Sequence, residues 1–569
     1  MTKILLLNIP SGLIPTDYPP IAISRVIEGI APSLNCDVSF FNLDYYRPSF
    51  AEIRDKIQSL SPQIIGYSAI LTPTYAYVKK LSKFIKEHFP HIIQVMGGEM
   101  TVISNIILMK TEISFCIIGE SEPTFSNLIR RLQQDNFNLN IESYADIKGI
   151  VFLRNNVPHF TGYEKEDIPN GLNQLNYKLM SKFTSLDNYI YKIDGQFFKM
   201  RMHNIHEFLK LPYPHNLDKN LAPVFASKGC VNKCTFCYRF FKGYKVIDAG
   251  SVTNYIEALK NDLNVGMILF AEENFGSDRR ATAGLLEYLK NTGLNWGACA
   301  VRVKTVNEQV IKEWRDAGCV HINFGIESFS QKILEVMEKK ATVEENLNAI
   351  KLCNKYRIYT CPGIVIGMPG ETEETIQENI DNWSMVIPDD IDMPFEIYIN
   401  YAQAVPGTPL YEYARRVGLI GQTLEDEEKY IESLSNVNAD EIAHYLNFTD
   451  YQKEEVAYWK YYIHLELFSA YVKKHGYINV FRYKKTKAFK VALIYMFFPK
   501  KVRKFLLKYV MIVKFFGVGR LPLVLVKKIF AKKTKSFENI NISLRKINQK
   551  SSPPMREDEV STVFIREGR

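Results

Sequence analysis

Short apolar runs separated by amphipathic stretches open the chain, at residues 4–7, 38–42, 64–69, 92–96 and 115–118, with a helical pattern over 75–87. Strand and helix alternating at this spacing predict βαβ units and a parallel, doubly wound, Rossmann-like sheet over residues 1–145. Ligands of such sheets sit beyond the carboxyl ends of the strands. Here those ends carry Ser68, then Gly97-Gly98-Glu99, then Gly119-Glu120-Ser121-Glu122. The glycines either only make tight turns or let a ligand approach the backbone closely.

Residues 146–215 are rich in Tyr, Asn, His and Lys without a clear period and read as a connecting segment. From 221 the alternation resumes, with strands expected at 224–227, 267–271, 296–301, 321–326, 363–366 and near 396–401. Six βα units over 216–440 predict a partial (β/α)6 barrel, whose functional residues gather at the strand C-termini. After about 445 the pattern gives way to aromatic-rich helical sequence, 441–546, and then to a polar tail, 547–569, expected to be disordered.

Charge changes the picture more than composition does. Residues 481–550 hold 20 Lys and Arg against the single acid Glu538, so this stretch is +19 in a chain whose total is +9, and the body is acidic. Apolar residues interleaved with these lysines fit a helix lying on an anionic membrane surface, or a basic cap on the barrel. Nucleic acid fits less well, because bulky aliphatics interrupt the basic run and the body would repel a polyanion. No uncharged apolar run reaches about 18 residues, so no spanning helix is expected. The start lacks a signal-peptide core, and nine cysteines, an odd number scattered through apolar stretches, are not spaced as a disulfide framework. A cytoplasmic, reducing location is the expectation.

Three of those cysteines fall within eight residues, Cys230-Val-Asn-Lys-Cys234-Thr-Phe-Cys237. Thiolates are the soft ligands of zinc and of iron–sulfur clusters. Structural zinc wants four closed ligands, and no fourth Cys or His lies nearby in sequence. Three thiolates on a four-iron cube leave one iron open.

This Cys-x3-Cys-x2-Cys, on the loop after the first strand of a βα barrel, resembles the signature of the radical S-adenosylmethionine superfamily. The resemblance implies a [4Fe–4S] cluster held by Cys230, Cys234 and Cys237 that cleaves S-adenosylmethionine to a 5′-deoxyadenosyl radical. It also implies cofactor contacts from Phe236 (adenine), Glu272 and Glu273 (the methionine ammonium), Arg302 (its carboxylate), Glu327 and Ser328 (ribose), and Gly367, whose stretch passes adenine. Pro406-Gly407-Thr408-Pro409 matches a motif that follows the last strand in many relatives. Read singly, the two glutamates are equally a helix N-terminal pair, Arg302 a surface charge and Gly367 a turn.

The sheet ahead of the barrel resembles the cobalamin-binding domain of the largest radical SAM subclass, over roughly residues 1–440. That resemblance implies cobalamin contacts at Ser68, Gly97, Gly98, Gly119 and Glu120. The loop Asn8-Ile-Pro-Ser-Gly-Leu-Ile-Pro-Thr-Asp17 departs from many other cobalamin domains in having no histidine for cobalt. The implied activity is C-methylation of an unactivated carbon of a small-molecule or lipid substrate, or cyclisation or oxidation as in the related anaerobic cyclases. The implied partner is a reductant such as flavodoxin or ferredoxin. A non-catalytic cobalamin or redox sensor is the remaining alternative.

Overall fold

The computed structural model describes residues 1–483, apart from 13, 31–33, 71–73, 140, 165–173, 194–208, 240–242, 435–438 and 440, together with Ile540 and Leu544. The front sheet is built from β1 (Thr2–Asn8), β2 (Cys36–Asn42), β3 (Ile64–Ser68), β4 (Ile93–Gly97) and β5 (Phe115–Ile117), parallel in the order β2-β1-β3-β4-β5. Helices α1 (Ile21–Ile30), α2 (Phe50–Leu60), α3 (Tyr75–His88), α4 (Ser104–Lys110) and α5 (Ser121–Gln134) connect them. A parallel strand covered by helices must be apolar on both faces. In β1, Ile4 and Leu6 pack with Ile23 and Phe125 of α1 and α5, while Leu5 and Leu7 pack with Ile53 and Val78 of α2 and α3.

This sheet does not stop at residue 145. Two antiparallel strands, β6 (Ile150–Arg154) and β7 (Val157–Phe160), continue it to seven. Their turn is Asn155-Asn156, with φ of 53° and 62°. Asparagine tolerates these left-handed angles, which a two-residue hairpin needs. The segment expected to be a connector therefore begins with sheet.

The second domain holds six parallel strands. These are β8 (Asn220–Val224), β11 (Val265–Phe270), β12 (Asn295–Val301), β13 (Cys319–Phe324), β14 (Gly363–Ile366) and β15 (Tyr398–Tyr401). The order β13-β12-β11-β8 forms one sheet and β14-β15 a second, and the bridges His321 to Tyr359 and Glu327 to Ile364 carry the curve from one to the other. A two-residue strand, Tyr191–Lys192, pairs antiparallel with β8. The first strand ends at Val224 rather than running 224–227. Past it the chain forms a separate hairpin, β9 (Ser227–Cys230) against β10 (Gly243–Val246). Helices α6 (Ala249–Leu263), α7 (Arg279–Thr292), α8 (Glu308–Asp316), α9 (Gln331–Val336), α10 (Val343–Lys355) and α11 (Glu373–Ser384) make the outer layer. Beneath the strand ends Phe270 stacks on Phe275 with ring centroids 4.5 Å apart, and Trp296 meets Trp314 at 5.6 Å.

After the barrel, α12 (Pro409–Arg416), α13 (Leu424–Leu434) and α14 (Lys453–His475) follow. Helix α13 docks on the front domain: Glu428 accepts from the Tyr75 hydroxyl at 2.6 Å and pairs with Lys79 at 2.7 Å. Helix α14 packs along α11. Among the described residues no helix is long and apolar enough to cross a membrane. Apart from Ile540 and Leu544, both buried, the basic stretch from 484 and the tail 547–569 lie outside the described residues.

Trp314 is 2% exposed. Trp314→Ala should cost about 3–5 kcal/mol, the range for emptying a buried aromatic site, and appear as a lower urea midpoint at unchanged m-value. A loss under about 1 kcal/mol would show that the aromatic stack is not what supports the strand ends.

Candidate functional site

The cysteine loop leaves β9 through Gly229, whose φ of 77° turns the chain just before Cys230. It is then pinned from two sides. Thr235 donates its amide to Met337 O at 2.9 Å and its hydroxyl to Val336 O at 3.0 Å, while Leu410 N donates to Thr235 O at 2.9 Å. Asn232 Nδ2 reaches Lys339 O at 3.0 Å. Cys234 is buried, Cys230 half-buried and Cys237 exposed. The thiols feel one another. Burial raises that of Cys234, with Cys230 and Glu327 adding and Lys339 opposing. Cys237 is reached by solvent yet ringed by protein, which pushes it up to about 12, and Cys234 adds to the effect.

Among the described residues no three His, Cys, Asp or Glu side chains crowd closely enough to hold a single metal ion. A cube asks for no such crowding, since each thiolate holds a different iron. The donor set, one short loop offering three thiols, fits a cluster.

Lys339, which the sequence hides in the charged run Glu338-Lys339-Lys340, comes up beside these cysteines and pairs with Glu327 at 3.1 Å. Glu327 sits at φ 64°, and a Cβ on Gly325 would stand 2.5 Å from Lys339 Nζ, so Gly325 leaves room for the pair. Ser328 turns elsewhere: it is buried and its hydroxyl donates to Asn379 Oδ1 at 3.2 Å.

The two carboxylates after β11 lie in a bend that buries Glu272 and leaves Glu273 exposed. Glu272 is buried at the back, where Oε1 accepts from Ala226 N at 3.4 Å. Burial raises its carboxyl to about 8, against the pull of hydrogen bonds from its own amide, Ala226 and Ser227. Glu273 lies forward: burial raises it, while Lys228 and Arg239 pull it down. Across from it stands Glu99 of the front domain, pushed up to about 7 by burial and then by Glu273. Tyr18, from the loop after β1, is 66% exposed, and its hydroxyl is raised by partial desolvation and by the charges of Cys299, Asp17, Glu99 and Glu273. The Tyr238 hydroxyl reaches Glu99 O at 3.5 Å. These contacts place Glu273, Cys299 and the cysteine loop opposite Tyr18 and Glu99. Arg302, at the end of β12, is half-buried and makes no ion pair among the described residues, which suits a carboxylate ligand. Phe236 is half-buried against the main core.

Gly367 is where expectation and structure part. The space beside it is filled: a Cβ there would stand 2.5 Å from Tyr445 Oη, and Tyr445 donates to Gly367 O at 2.7 Å. Its missing side chain admits a tyrosine from the segment before α14. Glu371 completes the turn, accepting from the amides of Gly367 and Met368.

At the carboxyl edge of the front sheet a cleft opens between Leu6, Val26, Gly66, Ser68, Gly97 and Phe125. Gly98 also lines it, at φ 87° with a hypothetical Cβ 2.5 Å from Ala69 O, and Gly66 lacks a Cβ that would meet Leu6 at 2.7 Å. A cradle that narrow at its floor fits an elongated group laid against backbone. The loop after β1 is held open by Asp44, which accepts from Thr16 N at 2.8 Å and Thr16 Oγ1 at 2.7 Å. Gly119, at φ 83°, turns the chain after β5. Glu120 does not line the cleft; it is buried against Arg25 at 3.0 Å and against Lys228.

The sequence profile of the Radical SAM superfamily matches residues 224–382, and that of the B12 binding domain matches residues 11–129. The chain thus carries a radical SAM domain and a B12-binding domain. The cofactors that go with these two domains are a [4Fe–4S] cluster, S-adenosylmethionine and cobalamin. The chain is similar to an anaerobic magnesium-protoporphyrin IX monomethyl ester cyclase of Cereibacter sphaeroides, 27% identical over 65% of this chain and 59% of the relative. It thus spans less than two thirds of that relative. It is also similar to an uncharacterized methyltransferase of Pyrococcus horikoshii, 26% identical over 68% of this chain and 74% of the relative. In fold it resembles the cobalamin-dependent S-adenosylmethionine radical enzyme OxsB, with a TM-score of 0.58, 14% identity, and coverage of 96% of this chain and 80% of that one. The radical S-adenosylmethionine methyltransferase TsrM of Kitasatospora setae gives 0.56 and 15% over 74% and 78%.

Glu272 supplies a pH test. Its folded carboxyl titrates near 8, well above the ordinary carboxylate range, so the folded state keeps a proton that the unfolded state loses. Stability from this group is complete below the unfolded value and is lost as pH rises towards 8. Glu272→Gln should therefore melt less steeply with pH than wild type between about 5 and 8.5; an identical pH slope would place the carboxyl in a wetter setting.

Proposed function

We propose that the chain is a cobalamin-dependent radical SAM methyltransferase acting on an unactivated carbon of a small molecule. The observation that carries this reading is the meeting of the cysteine loop and Glu273 with the strand-end residues Tyr18 and Glu99 in one gap. When bound there, the cluster with S-adenosylmethionine supplies a carbon-centred radical and cobalamin supplies a methyl carrier. The protein's part is to hold and orient. Cys230, Cys234 and Cys237 take the irons, leaving one iron position for the cofactor. Glu273 would accept hydrogen bonds from an ammonium and Arg302 would fork onto a carboxylate, both charge-assisted contacts. Glu327 holds its carboxylate near the thiols through Lys339, and Phe236 offers a flat apolar face. Ser68, Gly97 and Gly98 give the backbone cradle for the corrinoid, with Gly119 turning the last loop. Glu272 and Ser328 act behind this surface, bracing strand ends. A low-potential reductant is required, and the outer position of Cys237 gives an electron donor its nearest approach.

A second reading, radical cyclisation or oxidation, is favoured by the similarity to the anaerobic cyclase. The finer assignment of surroundings rests on charge: the +19 stretch over 481–550 favours peripheral contact with an anionic membrane and hence an apolar substrate.

Anaerobic reconstitution should give iron and sulfide at about four each per chain and, on reduction with S-adenosylmethionine present, 5′-deoxyadenosine. S-adenosylhomocysteine should form as well if methyl transfer operates, and its absence would favour cyclisation. Cys234→Ala should abolish deoxyadenosine; full turnover in that variant would end the reading. In sedimentation with vesicles of phosphatidylglycerol the full chain should pellet at low salt and be released at high salt, whereas equal recovery with neutral vesicles would count against the membrane assignment.

A further inference from the structure

Arg25 is the one cation of α1 and is 4% exposed. A buried guanidinium needs partners, and its planar fork finds two. Nε meets Glu122 Oε1 at 2.7 Å and Nη2 meets Glu120 Oε2 at 3.0 Å. The other oxygen of Glu120 is in contact with Nζ of Lys228, two residues before Cys230 on β9. Burial and then the Arg25 charge push the Lys228 amine down to about 7, and Glu273 opposes them. Charges therefore alternate from the front domain, Glu122, Arg25 and Glu120, to the barrel, Lys228 and Glu273, and the side chains of the first four are between 5% and 20% exposed.

We propose that Arg25, Glu120 and Lys228 form an ionic latch that fixes the cysteine loop to the strand-end loops of the front domain. They are positioning residues: they set the separation between whatever each domain holds. The geometry favours this over a bracing role within one domain, because the contact of Glu120 with Lys228 crosses between domains. It joins the last loop of the front sheet to the strand that carries the first cysteine. Removing one member leaves a desolvated charge facing the others, so the latch is all-or-none rather than graded. Its consequence for turnover rests on the function proposed above; its existence does not.

The test is hydrogen–deuterium exchange on the anaerobically purified full chain. In Lys228→Met and in Glu120→Gln, peptides covering 119–134 and 225–231 should exchange at least tenfold faster, with those from Lys453–His475 unchanged, and Lys228→Arg should restore protection. Unchanged exchange in both regions, or an equal rise throughout the chain, would overturn the latch. Should neither variant fold, Arg25→Lys, which keeps the charge but loses the fork, is read in the same way. A second readout uses cobalamin-loaded protein with the cluster reduced, where the latch variants should lose at least half of the magnetic coupling between cluster and cob(II)alamin seen by electron paramagnetic resonance; coupling equal to wild type would remove the positioning role. A wild-type chain that takes up no cobalamin would sink the functional reading and leave the exchange result standing.

Discussion

Parallel strands joined by helices gather their ligand-binding loops at the carboxyl edge, and this chain brings loops from two such edges together. Lys228 meets Glu120 and Tyr238 meets Glu99 across that meeting. Where the approach of the two domains takes a charge out of water, that charge must be paired, protonated or reserved for a ligand. Arg25 and Lys228 are paired, Glu99 is driven toward its neutral form, and Arg302 has no ion pair among the described residues. The close approach is built from small residues as much as from charges. Gly407, with a hypothetical Cβ 2.6 Å from Val102, lets the Pro-Gly-Thr-Pro turn lie against the front domain.

Burial also explains why the two neighbouring glutamates after β11 behave so differently. The bend after β11 sends Glu272 under the hairpin and leaves Glu273 exposed toward Lys228 and Arg239. The first is a buried acid, the second a carboxylate pulled down by cations. Identical residues, adjacent in sequence, thus have opposite electrostatic surroundings because the bend turns one inward and the other outward.

Much of this was legible beforehand. The five parallel strands in front and the barrel strands after 221 were visible as apolar runs, because a strand buried on both faces leaves no other pattern. The cysteine spacing stood out because three thiols in eight residues have few structural uses. What stayed hidden depended on partners distant in sequence. Lys228 and Lys339 look like surface lysines until Glu120 and Glu327 are brought beside them. Ser328 reads as a ligand contact until Asn379 arrives from α11. The strands at 150–160 escaped because each is too short to show a period, although Asn155-Asn156 marked their turn. The start of the barrel was misplaced by a few residues because β8 and the hairpin strand β9 form one continuous run of small and apolar residues.

Tyr445 occupies the hole at Gly367 but belongs to a segment outside the barrel's own framework. A glycine at the end of β14 is thus a socket, and the plug is supplied by sequence that bears no strand and no cofactor ligand. Exchange of the plug for a shorter side chain would open a cavity at that strand end without altering a single barrel residue, so the packing of this strand end is set by sequence that follows the barrel.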